Sequence, residues 1–312
     1  INWYVERKYP FLHQLRKEKG SSFFKELILK DLKNVFISRV SDKMLNCTDN
    51  LIISGFIGVG TVGRYANYSM ITQAIINILT ILANTIQPTI GDYFTEKNYR
   101  RNYEILRQLT FVFFCISSVV AAGLFSLITP FICDIWLSPA YELGWGTAVL
   151  CIVVLLIKIM GLPLSLMMGV TGLFEKEKNA GASSAVLNLI VSLALVRPYG
   201  MTGVLLGTLL SYLLQICYRY VIFFRDFLEM KEEAIRYARD LGEYTAVMIL
   251  EVAVTRRIIP LIYGNGGMTP FIFCFVLCIL VPLALNGVFF GRGWRLQSIV
   301  KMVRGMKRSG SR

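Results

Sequence analysis

Long apolar runs recur along the whole chain and dominate its pattern of hydrophobic and polar positions. About 20 apolar residues in a helix cross the hydrocarbon core of a bilayer, because each residue adds about 1.5 Å of rise. Runs of about this length, bounded by charged or turn residues, predict eight transmembrane helices. In chain order the candidate spans are Asn34–Gly58, Ala66–Ile90, Gln108–Ile132, Thr147–Thr171, Ala180–Val196, Gly200–Phe224, Glu243–Tyr263 and Pro270–Phe290.

The predicted fold class is all-α. A bilayer offers the backbone N–H and C=O groups no water, so a crossing segment must satisfy them within a helix or a closed barrel. Barrel strands need only about 9–11 residues to cross, and most of the runs here are about twice as long. The sequence therefore predicts a polytopic helical membrane protein.

Composition and charge predict how the helices are oriented across the membrane. Of the 312 residues, 55% are hydrophobic and 17% are charged, and the mean hydropathy is +0.56. The net charge of +13 would suggest nucleic-acid binding in a soluble chain, but 26 of the 33 basic residues lie in one alternating set of connectors. Cytoplasmic connectors carry the excess of Lys and Arg, so both ends are predicted to be cytoplasmic. The basic connectors are residues 1–33, 92–107, 174–179, 219–240 and 291–312.

The sequence lacks the common catalytic motifs. It has no Walker, HExxH or GxSxG motif, and its single histidine, His13, lies in the basic amino-terminal connector. The seven cysteines form no CxxC pair, so free thiols are predicted rather than disulfides or a zinc site. These features argue against an enzyme, a bound cofactor or a metal centre. They favour a transporter driven by a Na⁺ or H⁺ gradient or by substrate supply.

The first two spans carry polar stripes that predict a shared hydrated cavity. Charged residues that face lipid are costly, so the charged stripe of the first span is expected to face water, or else to form a buried ion-pair network. The stripe of the second span is uncharged, and hydrogen bonding between helices is the alternative there. The first stripe comprises Arg39, Asp42, Lys43, Asn46, Asp49 and Asn50; the second comprises Ser69, Gln73, Asn77, Thr80, Asn84 and Gln87.

Three further features concern the later spans. Lys158 lies near the middle of its span and is interpreted either as a second cation of the cavity or as the partner of Glu251. Arg256 and Arg257 are predicted to reach outer-leaflet phosphates. Weaker polar stripes in the fifth and sixth spans are interpreted as helix packing; they consist of Ser184, Asn188 and Ser192, and of Thr208, Ser211, Tyr212 and Gln215.

A resemblance to a known family rests on one continuous segment. Residues 48–58 read TDNLIISGFIG and residues 59–68 read VGTVGRYANY. Together they resemble the TDN-x-x-I-S-x-x-x-G-x-x-x-V-G-x-Y-x-N-Y segment of the polysaccharide transporters, the Wzx-type lipid-linked oligosaccharide flippases of the MATE-like superfamily. The resemblance implies two six-helix lobes, often with two more helices, around a cationic cavity. It also implies export of an undecaprenyl-pyrophosphate-linked oligosaccharide by alternating access across the plasma membrane of a bacterium.

The resemblance assigns roles to residues of this chain. Arg39, Lys43 and Lys158 would bind the pyrophosphate or acidic sugars, in a cavity that Asn46, Asn50, Gln73 and Asn77 also line. Asp42 and Asp49 match the position of an acid that couples some relatives to sodium or protons. The implied partners are the lipid-linked sugar, membrane lipids, and the polymerase and glycosyltransferases of the same pathway, with no nucleic acid.

The resemblance also implies a domain organisation. Residues 1–33 would form a basic connector, 34–224 the second six-helix lobe, 225–242 an interfacial helix, 243–290 two additional helices and 291–312 a basic tail. Because the chain starts at Ile1 without a methionine, a first lobe is expected to precede it. The alternatives are a cation-coupled multidrug or small-solute antiporter of the same superfamily, a membrane glycosyl-polymerase or acyltransferase of the same pathway, and a truncated product without transport function.

Overall fold

The computed structural model describes residues 22–93, 98–228, 231–264 and 267–291. Within these ranges all regular secondary structure is helical, as predicted. The basic ends, residues 1–21 and 292–312, lie outside the described residues. The main helices are α1 (Ser22–Phe56), α2 (Val59–Tyr93), α3 (Tyr99–Pro130), α4 (Trp145–Val170), α5 (Phe174–Val221), α6 (Lys231–Tyr263) and α7 (Met268–Phe290).

Five of the described helical segments are long and apolar enough to cross a membrane. They are Val59–Gly91, Tyr99–Trp136, Trp145–Val170, Lys176–Arg225 and Met268–Phe290. The prediction of an all-α fold is confirmed and these helices suggest a membrane protein, whereas eight such segments are not found among the described residues. The other two long helices, α1 and α6, contain the first and seventh candidate spans, which carry the most charged side chains.

The outer surface of the helices is apolar, as contact with lipid requires. Large hydrophobic side chains are exposed along several helices, with exposed fractions of 67% for Phe36, 65% for Ile81 and 77% for Val288. A soluble protein rarely leaves such side chains in contiguous patches on its surface.

The turn between α1 and α2 is shorter than the sequence suggests. The predicted connector, residues 59–65, is helical from Val59 onward. Gly58 has φ +119°, and a glycine with positive φ commonly ends a helix because it carries no Cβ. Residues 57 and 58 alone therefore join the two helices, so most of the segment that carries the family resemblance is helical.

A glycine with positive φ divides α5 into two antiparallel arms, residues 174–199 and 201–221. The 48 residues of α5 would extend about 72 Å as one straight helix, more than twice the hydrocarbon core. Gly200 has φ +57° and ψ −136°, and the chain reverses there. Asn188 Nδ2 consequently lies 3.0 Å from Thr208 Oγ1, although 20 residues separate them. The predicted turn between the fifth and sixth candidate spans is thus confirmed.

The two arms of this hairpin approach each other closely through glycines. A Cβ on Gly203 would lie 2.6 Å from the carbonyl carbon of Leu195, and a Cβ on Gly207 would lie 2.9 Å from the backbone nitrogen of Ser192. Small residues four apart let membrane helices pack backbone against backbone. At the far end of the hairpin Arg219 pairs with Glu177, its Nε lying 2.9 Å from Oε1 and 3.1 Å from Oε2.

We expect Gly203→Ala to destabilise the protein by about 1–3 kcal/mol, because the new methyl group overlaps the Leu195 carbonyl. Gly123→Ala is the matched control, since a Cβ at Gly123 has no atom within 4 Å and alanine favours a helix more than glycine does. Thermal unfolding in detergent measures both. Equal unfolding temperatures for the two variants would contradict the close approach.

The core is built around α4, which packs against α2, α3 and α5. Ile159 and Met167 of α4 are completely buried there. The most extensive contact of α1 is with α5 rather than with α2. Because α6 and α7 pack against each other and against α3, the helices form two neighbouring groups that share α3.

All seven cysteines are free thiols, in agreement with the prediction. Cys151, Cys274 and Cys278 are buried, whereas Cys47 and Cys217 are exposed. The prediction of buried thiols therefore holds for only some of them.

Candidate ion and substrate site

Asp49 of α1 is inserted against the α5 hairpin. Its side chain is 3% exposed. The Thr208 hydroxyl lies 2.8 Å from Oδ1 and 2.9 Å from Oδ2, and since it has one proton it donates to one carboxylate oxygen at a time. The helical hairpin explains this placement, because it brings the polar stripes of both arms into the interface that α1 covers.

One buried oxygen atom beside Asp49 accepts no hydrogen bond from the described residues. Asn188 Nδ2 donates to Thr208 Oγ1, and Ser192 Oγ donates to the Val204 carbonyl at 3.2 Å. Asn188 Oδ1 is buried and accepts no hydrogen bond from any of the described residues. Buried polar atoms are nearly always bonded, so this carbonyl oxygen has spare capacity for a cation or a water molecule.

A small cavity opens beside Asp49 and extends to Lys158 of α4. Its volume is about 30 Å³, which is room for about two water molecules. It accommodates a small ion with a water molecule, but it is far too small for a sugar. The lining residues come from α1, α2, α4 and α5 and are Asp49, Tyr65, Thr72, Gln73, Ile76, Cys151, Val154, Leu155, Lys158, Leu205 and Thr208.

Lys158 is held in this cavity by an aromatic ring. Its Nζ lies 4.6 Å from the centroid of the Tyr212 ring, within the range of a cation–π interaction. The Lys158 ammonium also attracts the Asp49 carboxylate electrostatically. One cation and one anion therefore share a buried site between α1, α4 and α5.

The structure brings only part of the predicted site together. Asp49, Gln73 and Lys158 line the cavity, whereas Lys43, Asn50 and Asn77 are exposed and do not. Helix periodicity explains part of this separation, since Asp49 is rotated by about 120° from Lys43 around the α1 axis. The side chains of Arg39, Asp42 and Asn46 lie outside the described part of the chain, so their predicted roles stay predictions.

The position of Lys158 bears on its two interpretations, as a second cation of the cavity or as the partner of Glu251. It shares the cavity with Asp49. Glu251 is buried on α6, which packs against α3 and α7, and it forms no ion pair with a described residue. Arg256 and Arg257 are exposed on the same helix, as contact with phosphate headgroups would require.

Thr208 and Asn188 are site residues that the sequence pattern does not single out, because their stripes are typical of helix packing. The spacing of these two residues on either side of Gly200 indicates that they lie near each other. Asn188 lies 12 residues before Gly200 and Thr208 lies eight after it, so a hairpin turning near this glycine places them within about one helical turn of each other in depth. Ser211 and Gln215 continue the same buried stripe.

This arrangement can bind a small cation and an anionic group side by side. Carboxylate, hydroxyl and amide oxygens are the ligands that hard cations prefer, and one carboxylate balances one positive charge. The ammonium of Lys158 is a donor for an oxyanion. Comparison with models of known protein families, with curated proteins and with solved structures gave no match to this chain.

Proposed function

We propose that this protein is a flippase that moves a pyrophosphate-linked oligosaccharide from the inner to the outer leaflet of a bacterial plasma membrane. The observation that carries the proposal is that Asp49 and Lys158 line one cavity. Asp49 belongs to the segment that resembles the polysaccharide transporters. A substrate with two phosphates requires a cation in the transport path, and Lys158 supplies one.

The proposed arrangement in the membrane has eight crossings with both chain ends in the cytoplasm. The apolar segments supply five of the helices, and the reversal at Gly200 turns the longest of them into two crossings. α1 and α6 would supply the remaining two. Their charged side chains are tolerated where they face protein, as Asp49 and Glu251 do.

Transport in this proposal is coupled to a monovalent cation or a proton at Asp49. The oxygens of Asp49, Thr208 and Asn188 would surround the ion, which competes with Lys158 for the carboxylate. Binding of the ion would weaken the attraction between Lys158 and Asp49 and leave the ammonium free to bind the substrate phosphate, while loss of the ion would restore that attraction. Arg39 and Lys43 are proposed to extend the cationic surface along α1.

A cation-coupled antiporter of small solutes is the second candidate. The small size of the cavity, about 30 Å³, favours it, because a site of this size fits an ion better than a sugar. The two functions differ in whether a lipid-linked substrate is moved.

Complementation tests the proposal. The full-length protein should restore surface polysaccharide to a strain that lacks its flippase, and the Arg39→Ala, Lys43→Ala double variant should fail at equal membrane levels, since two cations are lost from the substrate path. Rescue of a strain that lacks the polymerase or an acyltransferase instead would contradict flipping. Normal polysaccharide in the double variant would remove Arg39 and Lys43 from the path.

A further inference from the structure

A second buried polar cluster lies between α3, α6 and α7, apart from the cavity at Asp49. Its members are Glu251 of α6, Ser117 and Ser118 of α3, and Asn286 of α7. Glu251, Ser117 and Ser118 are 0% exposed and Asn286 is 6% exposed. Apolar and aromatic side chains surround the cluster, so it is sealed inside the three-helix contact.

Several polar atoms of this cluster are buried without a hydrogen-bond partner among the described residues. Asn286 Nδ2 donates to Ser118 Oγ at 3.3 Å, and Ser118 Oγ donates to the Phe114 carbonyl at 3.1 Å. The Ser118 hydroxyl lies close enough to the Glu251 carboxylate to interact with it, but no described residue forms a hydrogen bond of normal geometry with either Glu251 carboxylate oxygen or with Asn286 Oδ1. The Ser117 hydroxyl, which could donate a hydrogen bond, is also buried without a partner among these residues.

Charged groups that would stabilise an ionised Glu251 are missing from the described surroundings. On α3 the Cys115 thiol interacts electrostatically with Glu251, and α7 contributes the neutral Asn286. The turn Ile222–Phe227 also packs against α6, but its Arg225 is exposed, as are Arg256 and Arg257 of α6 itself. An ionised carboxylate buried without a cation is strongly unfavourable.

We propose that Glu251 is a proton-binding site, distinct from the site at Asp49, and that its proton keeps the α6–α7 pair packed on α3. A bound proton removes the buried charge and turns one carboxylate oxygen into a hydrogen-bond donor. A metal cation fits less well, because it needs several oxygens around a space of its own, and Ser118 is already bonded to Asn286 and Phe114.

The contacts on either side of Glu251 show what the proton stabilises. The rings of Phe114 and Tyr244 stack with centroids 4.5 Å apart, and Phe290 meets both edge-on. On the other side the Cys278 thiol lies 3.7 Å from the Ala122 carbonyl. Loss of the proton would draw water between these surfaces. This inference does not depend on which substrate the protein moves.

Infrared difference spectroscopy of the purified full-length protein tests the proton directly. At neutral pH the wild type should show the carbonyl band of a protonated carboxyl group, shifted in deuterated water. Glu251→Gln should lose that band, and Glu243→Gln, which removes an exposed carboxylate from the same helix, should keep it. No protonated band in the wild type would overturn the proposal, as would a band that sodium ions abolish at constant pH.

Thermal unfolding gives a second readout with a defined sign. Because the folded protein holds the proton that an unfolded glutamate releases, stability is greatest below about pH 4, where the unfolded glutamate is protonated too, and falls as the pH rises until Glu251 of the folded protein also ionises. Glu251→Gln should lack this fall and Glu243→Gln should retain it. An identical pH profile in wild type and Glu251→Gln would overturn the proposal. If Glu251→Gln fails to fold, the infrared spectrum of the wild type decides.

Discussion

Asp49→Asn is expected to abolish ion-driven transport and to lower the affinity for the coupling ion at least about 100-fold. One unit charge about 4 Å from another contributes about 4 kcal/mol at an effective dielectric constant of 20, and asparagine removes that charge while it keeps the shape of the side chain. The measurement is ion-dependent uptake or flipping in proteoliposomes that contain the full-length protein.

The control for this prediction is Glu142→Gln, which removes an exposed carboxylate from a connector outside the cavity and should leave transport unchanged. Thr208→Val keeps the volume of the threonine but removes the hydroxyl that binds Asp49, so it should weaken ion binding less than Asp49→Asn does. Ion dependence that survives in Asp49→Asn would move the coupling site away from Asp49.

Lys158→Met is expected to lower the rate of substrate transport by about 10–100-fold. Methionine approximates the length of the lysine stem without its charge, and a hydrogen bond to a charged group contributes about 1.5–3 kcal/mol. Lys158→Arg should retain most of the activity, since it keeps a cation in the cavity and a guanidinium also packs on an aromatic ring. Flipping of a pyrophosphate-linked fluorescent lipid in proteoliposomes measures the difference.

Lys231→Met provides the comparison for Lys158→Met, because Lys231 is an exposed lysine at the start of α6. Its transport rate should equal that of the wild type. If Lys158→Met moves a phosphate-containing lipid as fast as Lys231→Met does, Lys158 does not contact the phosphate. If Lys158→Met loses only the transport of small cationic solutes, the antiporter is the better assignment.

The helices were predictable because a helix that crosses the apolar core of a membrane needs a run of apolar residues of matching length. Their ends were less predictable. The start of α2 at Val59 depends on Gly58 adopting a positive φ, and glycine permits that conformation without requiring it. The reversal at Gly200 was easier to predict, since a helix of twice the membrane thickness must turn.

Asp49 and Lys158 were predictable as site residues because a charge within an apolar run needs a partner or water. The residues that surround the Asp49 carboxylate were not predictable. Thr208 and Asn188 are ordinary residues for helix packing, and only the pairing of the two α5 arms with α1 brings them to the carboxylate. A polar stripe on one helix defines a face about one-third of the circumference wide, so it does not show whether Asp49 or Lys43 is the residue that turns inward.

Transbilayer movement of a pyrophosphate-linked oligosaccharide is the central claim, and proteoliposomes test it most directly. A membrane-impermeant reagent that acts on the exposed sugar reports how much lipid has crossed in vesicles that contain the purified full-length protein. We expect the lipid-linked oligosaccharide to cross at a rate that depends on the protein, on the imposed Na⁺ or H⁺ gradient and on Lys158. Crossing no faster than in protein-free vesicles, under either gradient, would contradict it.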